Sequence, residues 1–143
     1  MRALPIVGFL FGLPFGFALL GSAAFARPPP GELRHRVVRI SGADIPRDFD
    51  SNSDAFVMTA GWLPNSCYRA VRVEVAQRAP LLHEITAKAD VTAGLCLAVI
   101  ITWRLKVELG RLEAGTHVLR FINGDGTYQE RRIVIQAPSS LGE

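Results

Sequence analysis

Apolar and polar residues alternate most clearly over residues 95–109. Every odd-numbered position there is apolar, which is the period of two that a β-strand imposes on residues sharing one face. The even-numbered positions are apolar up to Ile100 and polar from Thr102 onward. The first half therefore predicts a strand buried on both faces, and the second half a strand with one face in water. Because the stretch is longer than an ordinary strand, we expect a bulge or a change of sheet near Thr102.

Six other stretches have strand-like patterns and are separated by turn residues. In one of them Val71, Val73 and Val75 are predicted to face inward, and Asn123-Gly124-Asp125-Gly126 is a strong hairpin signal between two others. The predicted strands are residues 35–40, 55–63, 67–77, 82–89, 95–109, 116–123 and 127–136, with a loop at 41–53. About seven strands without a convincing helix predict an all-β fold, an immunoglobulin-like antiparallel β-sandwich.

The first 26 residues differ in character from the rest. Arg2 precedes an apolar run over residues 3–20, and small residues at Ala24 and Ala26 follow it, so the segment predicts a secretory signal peptide. The alternative is an uncleaved membrane anchor, although glycines and prolines interrupt the run and it barely reaches spanning length. The predicted organisation is a signal peptide at 1–26, a Pro-rich linker at 27–34, a β-sandwich domain at 35–137 and a frayed tail at 138–143.

Export implies a periplasmic or extracellular protein with no stable membrane span after cleavage. Composition adds little to this picture: the chain has 143 residues, 49% of them hydrophobic, which suits one domain with a real core. The formal net charge of +3 comes from basic residues interleaved with acidic ones, and no run of Lys and Arg follows a phosphate backbone. We therefore expect no nucleic-acid partner.

Cys67 and Cys96 are the two cysteines of the chain. In an exported protein they are expected to form a disulfide, which closes a loop of about 30 residues. Cys67 has the phase of the inward valines, whereas Cys96 is out of phase with its apolar row. Either the regular pleat begins after Cys96 or a bulge turns its thiol inward. A reactive thiol or a metal pair is the alternative, which the wide spacing disfavours.

Residues 55–136 resemble small immunoglobulin-like domains of exported bacterial proteins and lipoproteins, most of them uncharacterised. The resemblance rests on Gly61-Trp62-Leu63-Pro64-Asn65-Ser66-Cys67-Tyr68, on Cys96, on residues 107–117 and on Asn123-Gly124. It implies the sandwich fold and no activity. Such domains often have a Tyr at one corner that bonds back to the backbone, and here that position is His117.

One polar loop has the spacing of a calcium site, because oxygen-bearing side chains occupy alternate positions. These residues are Asp48, Asp50, Asn52 and Asp54. Ser53 stands where a calcium loop needs Gly, and Thr59 where it needs the closing Glu, so a solvated polar loop is the alternative. Asp125 in the hairpin is a candidate for a further ligand. Apart from calcium, no cofactor is expected.

No pattern brings His35, His83 and His117 together, and we expect His117 at a corner and the other two on the surface. The chain has no signature of a serine hydrolase, a zinc protease or a phosphate-binding loop, so no catalytic residue is assigned. Tyr128 is out of phase with the buried positions of its strand. We therefore expect it to be exposed and, with Asp125, to contact a partner.

These observations predict an exported, non-catalytic module that binds a protein or an envelope component. The alternative is a calcium-stabilised adhesion or structural domain. An enzyme is the third hypothesis, and no residue supports it.

Overall fold

The computed structural model describes residues 33–138, which form a two-sheet β-sandwich with no helix in that range. The strands are β1 (Leu33–Val38), β2 (Ile40–Asp44), β3 (Phe49–Asp50), β4 (Asp54–Leu63), β5 (Tyr68–Ala79), β6 (Leu82–Thr92), β7 (Ile101–Arg111), β8 (Gly115–Ile122) and β9 (Tyr128–Gln136). The all-β prediction is confirmed. The predicted signal peptide and residues 27–32 of the predicted linker lie outside the described residues, as do residues 139–143 of the predicted tail.

Six strands form the larger sheet and three form the smaller one. The larger sheet has the order β1-β6-β8-β9-β3, with β5 paired to β6 as well, and the smaller sheet has the order β2-β4-β7. Most neighbours are antiparallel, but β6 pairs with β8 and β3 pairs with β9 in parallel. These two parallel pairs differ from the purely antiparallel arrangement that the sequence predicts.

The central strand is β6, whose two edges are both occupied. One edge pairs with β5 along nearly its whole length. The other edge is shared, since residues 82–86 pair with β8 and residues 87–92 pair with β1. Every second side chain of the strand points into the core, so His83, Ile85, Ala87 and Ala89 are all buried.

The core lies between the sheets and takes alternate side chains from both. Its largest fully buried members include Ile85, Leu119 and Ile133 from the larger sheet and Val57 from the smaller one. The predicted inward row on β5 is only partly correct, because Val71 and Val73 are half-buried and Val75 is exposed. The reason is that β5 is an edge strand of the six-stranded sheet, and a three-stranded sheet is too narrow to cover it.

Residues 95–100 do not form a strand, contrary to the prediction. They are an irregular segment that leads from β6 in one sheet to β7 in the other, and β7 begins only at Ile101. Leu97 and Ile100 are 74% and 71% exposed, so neither face of this segment is buried. A segment that crosses between sheets cannot pair along either of them, and its apolar alternation therefore has no neighbouring strand to pack beside.

The N-terminal strands also differ from the prediction. The predicted strand 35–40 is two strands in different sheets, β1 and β2, which are separated by Arg39. Two short strands, β2 and β3, occupy part of the predicted loop 41–53. Their few apolar residues, among them the buried Ile40 and Phe49, are too sparse to give a strand pattern in the sequence.

The predicted disulfide is confirmed. Cys67 and Cys96 are bonded, with their Cα atoms 5.4 Å apart, which is within the ordinary range for a disulfide. Since the pleat of β7 starts after Cys96, the first explanation of its phase is the correct one. The bond ties the crossover segment to the turn before β5.

Replacing Cys67 and Cys96 together by Ser should lower the free energy of unfolding by about 3–4 kcal/mol, because the unfolded chain regains the freedom of a long loop. Urea unfolding followed by tryptophan fluorescence measures this loss. As a control, reductant should destabilise the native protein by a similar amount and leave the double variant unchanged. A double variant as stable as the native protein would contradict the prediction.

Candidate functional site

Two regions of the sandwich are candidates for a functional site. The first is a cleft that contains two buried histidines, and we call it the histidine cleft. The second is the exposed apolar crossover segment with its surroundings. They lie at opposite ends of β6.

His83 on β6 and His117 on β8 are both buried, with 3% and 1% of their surface exposed. Their rings meet because the two strands are paired in parallel and both residues belong to inward rows. The distance between His83 Nε2 and His117 Nδ1 is 3.0 Å, and His117 Nε2 lies 2.9 Å from the backbone oxygen of Glu113. The expected surface position of His83 is therefore wrong, while His117 does occupy a corner.

The hydrogen bonds fix the protonation pattern of the neutral pair. The Glu113 carbonyl can only accept, so His117 Nε2 carries a hydrogen and its Nδ1 is an acceptor. His83 Nε2 must then donate to that Nδ1, which leaves His83 Nδ1 as an unprotonated acceptor. Among residues 33–138, this Nδ1 has no hydrogen-bond partner.

Burial, and secondarily repulsion by His117, lowers the pKa of His83. A charged imidazole loses its hydration in this position, and a second positive charge next to it adds to the penalty. His83 is therefore neutral near pH 7, and its Nδ1 is a base rather than a hydrogen-bond donor.

The histidine cleft has a volume of about 840 Å³ and lies between β5, β7 and the turn after β7. Its rim has charged residues of both signs, with Arg78 and Arg111 on one hand and Glu108 and Glu113 on the other. None of the side chains that line it is a Ser, Thr or Cys. The cleft therefore offers a base and charged groups, but no nucleophile that the base would activate.

The described residues offer little to a metal ion. No group of three or more His, Cys, Asp or Glu side chains within residues 33–138 is arranged to hold one.

His35, the third histidine, is on the surface as expected and bonds to Asp90, which also pairs with Arg72. Arg72, and then His35, lowers the pKa of Asp90.

The predicted calcium ligands make local contacts within the protein. The Asp50 carboxylate accepts a hydrogen bond from the backbone nitrogen of Asn52 at 3.0 Å, and the Asp50 backbone bonds to the Ser53 hydroxyl. Asp54 lies 3.9 Å from the Arg111 guanidinium. Asp48 has a positive φ of 71° and lies just before β3, apart from these contacts. These are the contacts of a polar turn between β3 and β4.

The hairpin residues have the predicted exposure. Tyr128 is exposed, and the Arg120 guanidinium lies 4.5 Å from the centre of its ring. The Asp125 carboxylate accepts bonds from the side chain and the backbone of Thr127, and these bonds lower the pKa of Asp125. Asp125 is thus used in closing the hairpin.

The second region is the apolar end, which we define as the exposed side chains of Trp62, Leu95, Leu97, Val99 and Ile100. The part of it at residues 95–100 differs most from the sequence prediction, which places these residues in a buried strand. Leu95 is fully exposed, and Leu97 and Ile100 are more than two-thirds exposed. Trp62 comes from the end of β4, next to the point where β7 begins.

The backbone of the apolar segment is fixed by a disulfide and by hydrogen bonds. The disulfide fixes Cys96, and Leu97 exchanges two bonds with Ser66: its nitrogen donates to the Ser66 hydroxyl at 2.9 Å, and its oxygen accepts from the Ser66 nitrogen at 3.1 Å. The Thr92 nitrogen donates to the oxygen of Cys67 at 3.1 Å just before the segment. The leucines are therefore displayed on a cross-linked scaffold.

Comparison with protein-family models, curated proteins and solved structures gives no significant match for this chain. Within residues 33–138, no helix has the length and apolar character needed to cross a bilayer. Function must therefore be argued from the two regions themselves.

The sequence contains a signal for one of the two regions, the histidine cleft. His83 lies two positions before Ile85 and so shares its inward phase, which predicts burial of the imidazole. Its meeting with His117 depends on the parallel pairing of β6 and β8, which no local pattern gives. The apolar end has the opposite problem, because its residues have the pattern of a buried strand and only the crossover geometry exposes them.

Acidification should destabilise the protein through His83. The folded-state pKa lies below the value of about 6.5 in the unfolded chain, so the unfolded state binds the proton first. The stability that neutral His83 contributes is complete above that pH and is lost as the pH falls below it. The melting temperature, measured between pH 7.5 and 5.5, should therefore fall less steeply in His83→Gln than in the native chain.

The matched control is His35→Gln, which removes an exposed imidazole and keeps His83. This variant should keep the decline that His83 causes. An unchanged slope in His83→Gln would show that the buried pair does not control the acid response.

Proposed function

We propose that this chain is an exported, non-catalytic module that binds a component of the cell envelope through its apolar end. The observation that carries the proposal is a set of exposed apolar side chains on a disulfide-fixed segment. Soluble monomers rarely expose contiguous apolar surface of this kind, and where they do, it commonly marks an interaction site. A fixed segment also loses little conformational freedom on binding.

The energetic scale supports this use of the surface. Removing one leucine or isoleucine side chain from water contributes about 1.5–3 kcal/mol. Leu95, Leu97 and Ile100 are each more than two-thirds exposed, so nearly the whole of this contribution is still available to a partner. The protein itself gains nothing from displaying them to solvent.

The histidine cleft supports the non-catalytic part of the proposal. Its buried base has no Ser, Thr or Cys beside it among the lining residues, and three of the four ring nitrogens of the pair belong to one hydrogen-bonded chain that ends at Glu113. This is how buried polar groups are satisfied in a stable core. We assign the pair to the structure of the corner between β7 and β8.

We also assign the fold to the immunoglobulin-like domains of exported proteins. The His117 bond to the Glu113 carbonyl, four residues upstream, supports this assignment, because a corner Tyr makes an equivalent bond in those domains. The disulfide supports export, since such bonds persist in oxidising compartments. The parallel pairing of β6 and β8 is a departure from the family pattern.

Replacing Leu95 and Leu97 together by Ser should release the exported protein from washed envelope membranes into the soluble fraction. Both side chains are exposed, so the fold is expected to survive the change. The measurement is the share of the protein in each fraction of an exporting cell, determined by immunoblot. The matched control is Val134→Ser, which removes a 59% exposed valine from β9, outside the apolar end.

Loss of envelope retention in the leucine variant but not in Val134→Ser supports the proposal. Equal retention of both variants would refute it. Intact mass measured on the same material tests export directly, since a mature chain is predicted to begin at Arg27.

The second candidate function is a calcium-stabilised adhesion or structural domain, which the alternate oxygens from Asp48 to Asp54 predict. The local bonds of Asp50 and the proximity of Asp54 to Arg111 favour a polar turn instead. We therefore expect the melting temperature to be the same with calcium and with a chelator. A rise with calcium that Asp50→Asn abolishes would support the calcium site.

A further inference from the structure

We propose that the free edge of β7 pairs with β7 of a second copy of this chain, so that the two smaller sheets join into one. This inference goes beyond the proposed function and does not depend on it, since no residue of the apolar end takes part. Three observations carry it: the open edge of the strand, the partly uncovered side chains next to that edge, and the charges along the strand.

One edge of β7 has no strand beside it within residues 33–138. The strand is last in the order β2-β4-β7, and all its register partners belong to β4. Leu109 is an extra residue relative to β4, so residues 101–108 form the regular part of the strand. The backbone groups along an open edge of this kind can pair with a further strand.

The side chains next to this edge are only partly covered. On β5, which approaches β7, Val73 is half-buried and Val75 is exposed, because the smaller sheet is too narrow to cover them. The histidine cleft is the gap between the two strands, since Val75 lines it from β5 and Glu108 and Leu109 line it from β7. A strand added to β7 widens the smaller sheet on this side, and it therefore covers the valines and the open side of the cleft.

The charges along β7 make the strand complementary to a second copy of itself. In a two-fold pair of antiparallel strands, residues at equal distances from the central residue lie opposite each other. A centre at Val107 places Lys106 of each copy opposite Glu108 of the other. A centre at Arg104, Leu105, Lys106 or Glu108 instead places two like charges opposite each other. Since unlike charges stabilise a cross-strand pair and like charges destabilise it, the register centred at Val107 is favoured.

The lysine of this edge does not act as a barrier to pairing. A Lys on an open edge commonly prevents two edges from associating. Here the Lys106 ammonium lies 3.0 Å from a carboxylate oxygen of Glu108 in the same strand, and 4.5 Å from the centre of the Phe56 ring. In the proposed pair, two lysines and two glutamates alternate around the two-fold axis. Each ammonium then has a carboxylate on its own strand and another across the interface.

The test is sedimentation equilibrium of the purified protein, with its disulfide intact, at several concentrations. The native chain should show a monomer–dimer equilibrium. Lys106→Glu should weaken dimerisation by about tenfold, because it places two carboxylates opposite each other in both symmetric contacts. Lys106→Glu combined with Glu108→Lys should restore native dimerisation, since the unlike pairs form again with their signs exchanged.

The matched control is Arg104→Ser, which removes an exposed charge from the same strand. In the register centred at Val107, Arg104 lies opposite Gly110 of the other copy, so this variant should dimerise like the native chain. The melting temperature of each variant shows whether its fold is intact. These side chains are exposed, so the melting temperatures should stay close to the native value.

Four results would overturn the inference. The first is a native chain that is monomeric at every concentration, and the second is a dimer that Lys106→Glu does not weaken. The third is a folded double variant that dimerises as weakly as Lys106→Glu alone, which would exclude the register centred at Val107. The fourth is an Arg104→Ser variant that is weakened as much as Lys106→Glu.

The same measurement separates this inference from the proposed function. Leu95→Ser with Leu97→Ser should dimerise like the native chain, because neither side chain belongs to β7. If that variant keeps both its dimerisation and its envelope retention, the proposed function is wrong and the inference stands. If it loses dimerisation, the apolar end is the interface between the copies and the inference is wrong.

Discussion

The double occupancy of β6 is the constraint on which the rest of the structure depends. One edge of this strand pairs with β5, and the other is divided between β8 and β1. Every second side chain of β6 also faces the core, and the two ends of the strand have different surroundings. The first half brings His83 against His117, and the second half ends at Thr92, where the chain enters and the apolar crossover leaves. The histidine cleft and the apolar end are therefore about 30 Å apart along one strand.

The buried histidines follow from that pairing and explain why the cleft is not an active centre in our assignment. Burying an imidazole is costly unless its nitrogens are bonded, and the chain from His83 through His117 to the Glu113 carbonyl satisfies three of the four. The remaining Nδ1 of His83 is a base without a nucleophile beside it. A group that is needed to close a corner does not also need a substrate to account for its burial.

How much the sequence could predict depends on which interactions are local. Strand alternation, the hairpin at Asn123-Gly124 and the Cys67–Cys96 bond were predicted, because each follows from a periodicity, a turn preference or a compartment. The burial of His83 had a local signal in its phase with Ile85, but its contact with His117 needs a parallel pairing between distant strands. The prediction of a buried strand at residues 95–100 was wrong for a different reason. An apolar pattern predicts burial without specifying whether the burying surface belongs to the same chain.

That last point links the disulfide to the proposed function. If the crossover were free, its apolar side chains would be expected to fold back onto the half-exposed Trp103 and the edge of the core, as hydrophobic collapse favours. The bond at Cys96 and the two bonds between Leu97 and Ser66 oppose this, because they fix the backbone at the outer turn. The cross-link thus has two effects, stabilising the sandwich and holding the leucines outward. In the proposed function, the envelope component is the surface that covers these side chains.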